Sequence, residues 1–278
     1  MLASTQKTSV DAFVRLAKVG KSFLSEGGTL EVLRNVNIDV ANRQFISILG
    51  PSGCGKSTLL MMLAGLEPIS SGSIEIAGQP VRTPRRDVGI IFQDPTLLPW
   101  KTALENVLFP IEIYGLPFDK YRARAEALLD LVGLADARQR RPRQLSGGMR
   151  QRVAICRALI HEPKLLLMDE PFSALDAITR DELNVTLLDI WERHHQTALF
   201  VTHSIREAVF LSDRVIVLGR RPGEVVRDVA IPFERPRDLA IGETGAFNEI
   251  CGDLRRVIAE SHATGSRPDG PARVLESL

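Results

Sequence analysis

Short apolar runs recur along the chain between longer segments of helical period. Phe45–Leu49 (FISIL), Leu165–Met168 (LLLM), Ala198–Thr202 (ALFVT) and Val215–Leu218 (VIVL) are rich in Ile, Val and Leu and lack clean alternation. That pattern predicts strands covered on both faces, as in a parallel sheet. Between them, Tyr121, Ala125, Leu128, Leu129 and Val132 share one helical face, and so do Met149, Val153, Cys156 and Leu159. Alternating strands and helices point to an α/β fold. Two regions depart from this pattern. Residues 13–48 and 72–91 contain short alternating segments such as Ser73-Ile74-Glu75-Ile76, bounded by Gly72 and Gly78, which predict antiparallel strands attached to the parallel core. Residues 94–160 are mostly helical and predict a semi-independent lobe. The expected division is one domain over 13–232, with 13–93 and 161–232 forming the core and its antiparallel part and 94–160 the helical part. A C-terminal extension, 233–278, is rich in Pro, Arg and Gly, and Ser266–Ala272 (SRPDGPA) reads as a disordered tail.

Composition narrows the function classes. Hydrophobic residues make up 44% of the 278 and charged residues 25%, the balance of an ordinary globular protein. With 35 Lys+Arg against 34 Asp+Glu, the net charge of +1 removes the electrostatic case for nonspecific nucleic-acid binding. No stretch approaches the roughly 20 apolar residues that span a bilayer. The longest apolar block, Leu59–Leu66, is short and contains Gly65. Met1–Val10 is polar and no apolar run follows it, so no signal peptide is expected. Cys54, Cys156 and Cys251 lie far apart, which argues against a disulfide scaffold and fits a reducing cytosol. No Cys/His spacing suggests zinc, and His194-His195 is expected as an exposed pair at a helix end.

The chemistry is concentrated in two segments. Gly50, Pro51, Ser52, Gly53, Cys54, Gly55, Lys56, Ser57 and Thr58 match G-x-x-x-x-G-K-[ST], after a strand run and before the apolar helix TLLMMLAGL. This phosphate loop needs that context: glycines turn backbone N–H groups inward, and the helix N-terminus adds its positive end. Lys56 is expected to reach the β- and γ-phosphates, and Ser57 to ligate Mg²⁺. Cys54 occupies a variable position and is expected to be inert. Leu165–Met168 runs into Asp169-Glu170. A carboxylate at the end of a buried strand can hold the Mg²⁺ shell, which suits Asp169, and its neighbour Glu170 can orient water towards the γ-phosphate. Alone, such a run is as often a strand leaving the core.

Leu145-Ser146-Gly147-Gly148-Met149-Arg150-Gln151 lies between these two segments. It resembles the LSGGQ signature of ATP-binding cassette (ABC) ATPases, and the resemblance extends over most of the chain. It implies a P-loop NTPase with a RecA-like parallel core, an antiparallel β subdomain and a helical subdomain. It also implies a homodimer in which Ser146, Gly147 and Gly148 of one copy close over ATP held by the other. Met149 replaces the common Gln at a position that points away from nucleotide in the family pattern. Gln93, in Ile90-Ile-Phe-Gln-Asp94, resembles the Q-loop glutamine that contacts Mg²⁺ or water. Ser173-Ala-Leu-Asp176 resembles the D-loop, which crosses to the partner and places Asp176 near nucleotide. His203 resembles the switch histidine that donates to the γ-phosphate. Phe23 falls where the family stacks an aromatic ring on adenine, and it could equally be a plain core residue.

Thr96-Leu-Leu-Pro-Trp100 and Ile231-Pro-Phe-Glu-Arg-Pro-Arg-Asp238 look like the nitrate/sulfonate/taurine importer ATPases. An exposed Leu/Trp cluster there would offer an apolar surface to a membrane subunit. The resemblance implies a peripheral ATPase at the cytoplasmic face of the inner membrane. Its partners would be integral permease subunits and, indirectly, a periplasmic or lipid-anchored solute-binding protein, with no nucleic acid. The alternative is a soluble ABC ATPase of DNA repair or chromosome maintenance, although those usually carry coiled-coil or zinc insertions. A P-loop small-molecule kinase would share Lys56 and Ser57 but has no use for the signature or the D-loop.

Overall fold

The computed structural model describes residues 12–25 and 28–263. Its centre is a six-stranded sheet in the order β10-β9-β3-β8-β7-β6. The strands are β3 (Phe45–Leu49), β6 (Val88–Ile91), β7 (Leu165–Asp169), β8 (Thr197–Val201), β9 (Arg214–Leu218) and β10 (Val225–Ala230). All neighbours pair in parallel except β10, which runs antiparallel to β9 along the edge. Successive residues of the four predicted runs feed two different cores. Phe45, Leu166, Phe200 and Val217 join the helices on one face, while Ile46, Leu167, Leu199 and Ile216 join the antiparallel sheet on the other. Two covered faces explain why these runs carry no polar alternation.

The second sheet is antiparallel, in the order β2-β1-β4-β5, from β1 (Ala12–Ser25), β2 (Gly28–Ala41), β4 (Ser71–Ile76) and β5 (Gln79–Pro80). Helix α1 (Lys56–Leu63) follows β3 and is buried between the two sheets through Leu59, Leu60 and Leu63. The expectation of antiparallel strands through residue 91 fails at its end. Val88–Ile91 pairs in parallel with Leu165–Met168, because its apolar run is covered on both sides. At Gly89 a Cβ would come within 2.7 Å of the Ala158 carbonyl, so the helix above the strand can approach only a glycine.

Residues 94–160 hold α2 (Ala103–Ile113), α3 (Phe118–Leu131) and α4 (Gly147–Leu159). The predicted faces are the buried ones: Ala125, Leu128, Leu129 and Val132, then Val153, Cys156 and Leu159, all lie in the helix-side core. Thr102 and Glu105 close a reciprocal capping box at the start of α2. Then come α5 (Ala177–His194) and α6 (Ile205–Leu211). His194 ends α5 half-buried, and only His195, which caps the helix at φ 50°, is exposed. Burial lowers the His194 pKa, with Arg124 adding to the effect.

The C-terminal extension is not simply a trailing tail. A short turn at Leu239–Glu243 leads into α7 (Gly245–Ala263), whose Phe247, Cys251 and Leu254 are buried in the helix-side core. Their spacing is helical, but the Pro- and Gly-rich flanks outweigh it in the sequence. Arg237 locks the turn: its guanidinium donates to the carbonyls of Phe233, Val209, Phe210 and Ser212 while only 6% exposed. Ser266–Ala272 and Met1–Val10 lie outside the described residues. Among the described residues, no helix is long and apolar enough to cross a membrane.

Candidate active site

The phosphate loop joins β3 to α1. Gly55 caps α1 at φ 102°, and a Cβ there would come within 2.7 Å of Leu33, so both conformation and space demand glycine. Lys56 is buried, and its Nζ donates to the carbonyls of Gly50 (3.0 Å) and Pro51 (3.1 Å). The loop carbonyls therefore hold the ammonium where phosphate oxygens would replace them. Ser52 and Gly53 are exposed, and Thr58 is half-buried. Cys54 is 1% exposed and burial raises its thiol pKa, the setting of an inert packing residue. Arg221, absent from the sequence expectations, places its Nε and Nη2 on the Gly53 carbonyl at 3.3 and 3.2 Å.

The end of β7 faces this loop. Ser57 Oγ donates to Asp169 Oδ1 at 3.0 Å. Burial raises the Asp169 pKa, opposed by the Ser57 hydrogen bond. A hydroxyl and a desolvated carboxylate are hard oxygen donors in contact. That small set suits Mg²⁺, which keeps several waters and shares substrate phosphates, so the residues fit the metal. Glu170 sits at φ 42°, in the left-handed region, where a non-glycine residue costs roughly 1–3 kcal/mol and persists only when its neighbours fix it. Those neighbours are the Val201 carbonyl, which accepts its N–H at 2.9 Å, Lys56 Nζ at 3.8 Å and His203 Nδ1 at 2.8 Å. Lys56 at the start of α1 and His203 after β8 thus converge on Glu170.

Gln93 reaches the same cluster indirectly. Its Nε2 donates to Ser173 Oγ at 3.1 Å, and that hydroxyl donates to the Glu170 carbonyl at 3.0 Å. The side-chain oxygen of Gln93 is then the atom that could face a metal. Arg157 of α4, also missed in the sequence, fixes the next residues by donating to the carbonyls of Pro95 and Thr96. Buried Glu207 and half-buried Arg180 lie behind His203. Thr202 Oγ1 donates to Glu207 at 2.6 Å, and Arg180 lies 3.4 Å from the same carboxylate. A single sequence carries no signal for Arg157, Arg180 or Glu207, because their partners are distant or in other elements.

The signature residues stand elsewhere. Ser146 caps α4 by accepting the Met149 N–H at 3.2 Å, and Asp176 caps α5 by accepting the Thr179 N–H at 3.0 Å. Gly148 packs against α5 so closely that a Cβ would meet Thr179 at 2.8 Å. Ser146, Gly147, Gly148 and Asp176 therefore share the α4–α5 corner, and among the described residues no hydrogen bond ties them to Lys56, Glu170 or His203. Met149 turns into the helix-side core, away from that corner. Phe23 is half-buried in the β1–β2 hairpin opposite Leu30, with Lys21 Nζ 4.5 Å over its ring.

The Leu-Leu-Pro-Trp segment is only partly the apolar cluster expected. Leu97 packs on the core and Leu98 is half-buried, so the leucines turn inward. Buried Asn106 clamps the loop, accepting from the Leu98 N–H at 2.7 Å and donating to the carbonyls of Leu98, Lys101 and Thr102. Pro99 and Trp100, the latter 65% exposed, are what the loop presents.

Known proteins are similar to this chain in sequence and fold. The family described as "ABC transporter" matches residues 33–173. The nitrate import ATP-binding protein of Synechococcus elongatus is 44% identical over 241 residues, 86% of this chain and 88% of that protein. The taurine import ATP-binding protein of Burkholderia pseudomallei is 44% identical over 218 residues, 78% of this chain and 84% of that protein. Among solved structures, a dimeric ATP-binding cassette in a post-hydrolysis state with ADP and Pi aligns with a TM-score of 0.70 at 33% identity, covering 80% of this chain and 100% of that one. At such identity over most of its length, with its phosphate loop and Asp169-Glu170 strand end assembled in one cleft, the chain belongs to the ABC transporter family as one of its ATP-binding cassette ATPases.

Proposed function

We propose that two copies of this chain hydrolyse ATP to power an importer for a small anion or organosulfur-like solute of the nitrate, sulfonate or taurine type. The observation that carries the reading is the placement of Glu170. Its carboxylate is held between the Lys56 ammonium and the His203 ring, beside the Ser57–Asp169 pair. Glu170 orients water and accepts its proton as it attacks the γ-phosphate. His203 and Lys56 donate to the phosphate oxygens as charge develops on them. Ser57, Asp169 and Gln93 would hold Mg²⁺, which when bound neutralises phosphate charge. Phosphate-loop backbone groups from Gly50 to Thr58 cradle the phosphates, and Phe23 lies against adenine.

Separation of the signature corner from this cluster supports a head-to-tail dimer, in which Ser146, Gly147, Gly148 and Asp176 of one copy complete the site of the other. Pro99 and Trp100 support docking on permease subunits at the cytoplasmic membrane face, with a binding protein delivering the solute from outside. The names of the nitrate and taurine relatives favour a small anionic or zwitterionic cargo. The test is reconstitution with the co-encoded permease in vesicles containing ATP. Uptake of labelled nitrate, taurine or an alkanesulfonate is the expected result. ATP hydrolysis without uptake of any of them, whatever binding protein is supplied, would remove the importer reading.

A further inference from the structure

We propose that Glu207 is a positioning residue of the ATPase site, and that with Arg180 it joins the loop carrying His203 to the segment Ser173–Asp176. The proposal rests on the assignment of hydrolysis to Glu170 and His203. His203 is well exposed, and its side chain meets only the Glu170 carboxylate among the described hydrogen bonds. Its orientation must come from the backbone on either side. Thr202, directly before it, is buried, and its hydroxyl accepts the Ser204 N–H at 3.0 Å while donating to Glu207 at 2.6 Å. One hydroxyl therefore clasps both neighbours of His203, and Glu207 fixes that hydroxyl.

The other oxygen of Glu207 lies 3.4 Å from Arg180 Nε on α5. Arg180 Nη2 in turn donates to the Leu175 carbonyl at 2.7 Å, immediately before Asp176. The path Thr202–Glu207–Arg180–Leu175 runs behind the site, while Ser173–Glu170–His203 runs across its front. Both loops are thereby held at two points. Stabilisation alone is a poor account of this carboxylate. Glu207 is 7% exposed, and burial raises its pKa despite the Thr202 hydrogen bond. Arg180 is 30% exposed, and pairing a buried carboxylate with such a cation usually does no better for stability than apolar packing. Ser204 caps α6 by accepting the Glu207 N–H at 3.4 Å, a contact of the Glu207 backbone and not of its carboxylate.

The test compares ATP turnover, ATP affinity and thermal unfolding in the full chain. Glu207→Gln keeps an acceptor for Thr202 but removes the charge facing Arg180, Glu207→Leu removes both, and Arg180→Met removes the other partner. With the two loops loosened, kcat should fall about ten-fold in Glu207→Gln and about a hundred-fold in Glu207→Leu, with KM for ATP within about two-fold of wild type. Arg180→Lys should recover part of the loss seen in Arg180→Met, and Glu207→Gln/Arg180→Met should be no slower than the worse single variant. Wild-type kcat in both Glu207 variants would overturn the proposal. So would losses that follow the melting temperature, or that simply add in the double variant. A wild-type chain without ATPase activity would instead overturn the assignment of hydrolysis itself.

Discussion

The phosphate-loop cleft and the signature corner, which we propose to serve one reaction, are built differently. In the cleft, Lys56 at the start of α1 and His203 after β8 both contact the Glu170 carboxylate. At the corner, Ser146 and Asp176 spend their side chains on capping their own helices. A cap is a complete structural role, so nothing in one copy alone requires these residues to meet a nucleotide. The difference teaches that the contacts of the cleft are all made within one copy of the chain. The corner, by contrast, exposes Ser146 and Gly147 at a helix N-terminus, which suits anionic oxygens supplied by something else.

The largest expected effect falls inside the cleft. Glu170→Gln should lower turnover about a thousand-fold while leaving ATP bound, so that ATP-dependent dimers accumulate on size exclusion. Near-normal phosphate release from that variant would remove Glu170 from its role. Lys56→Ala acts on the same cleft but on binding, and should weaken ATP affinity about a hundred-fold by titration calorimetry. Ser146→Arg attacks the corner instead. Turnover should fall about a hundred-fold, with the ATP affinity of the isolated chain unchanged. Mixing Ser146→Arg with Glu170→Gln makes the comparison sharper. If the corner serves the other copy, each mixed dimer regains one intact site and part of the activity. If cleft and corner act within one chain, mixing restores nothing.

How much of this was legible in the sequence depends on where each residue's partners lie. The phosphate loop, Asp169-Glu170 and the signature announce themselves because their chemistry needs fixed spacing in a strand-to-helix context. The four buried strands were equally plain, since covered faces leave no polar positions. Val88–Ile91 was read with its antiparallel neighbours because a four-residue apolar strand has too few positions to reveal a period. Arg157, Arg180 and Glu207 could not be read: a surface charge and a buried one look alike until the fold brings their acceptors together. Helix α7 was hidden for another reason. Phe247, Cys251 and Leu254 have helical spacing, but Pro and Gly around them dominate the local composition. Arg237 is the sharpest case, an apparent member of a basic loop that proves to satisfy three buried carbonyls and the half-buried Phe233 carbonyl. Arg237→Ala should leave kcat per folded molecule unchanged and cost about 2–4 kcal/mol by urea unfolding, since those carbonyls would lose their donor.

The smallest effect is expected at Trp100, where a null result carries the information. Its ring is 65% exposed, and the loop beneath it is held by Asn106 from inside. Removing the ring leaves that clamp, the Thr102–Glu105 cap and the Arg157 anchor of Pro95 and Thr96 in place. Trp100→Ala should therefore keep ATPase activity in the isolated chain within about two-fold of wild type and unfold at the same temperature within error. Asn106→Ala, which leaves the Leu98 N–H and the Lys101 carbonyl without their side-chain partner, should destabilise the lobe and loosen the same surface. If Trp100 serves a membrane partner, its loss should abolish permease-dependent stimulation in vesicles while sparing basal hydrolysis, a division that neither cleft nor corner variants can produce. Basal activity that falls with Trp100→Ala would instead tie this loop to the cleft through Gln93 and Ser173. The lobe would then act on the chemistry from within the copy that carries it.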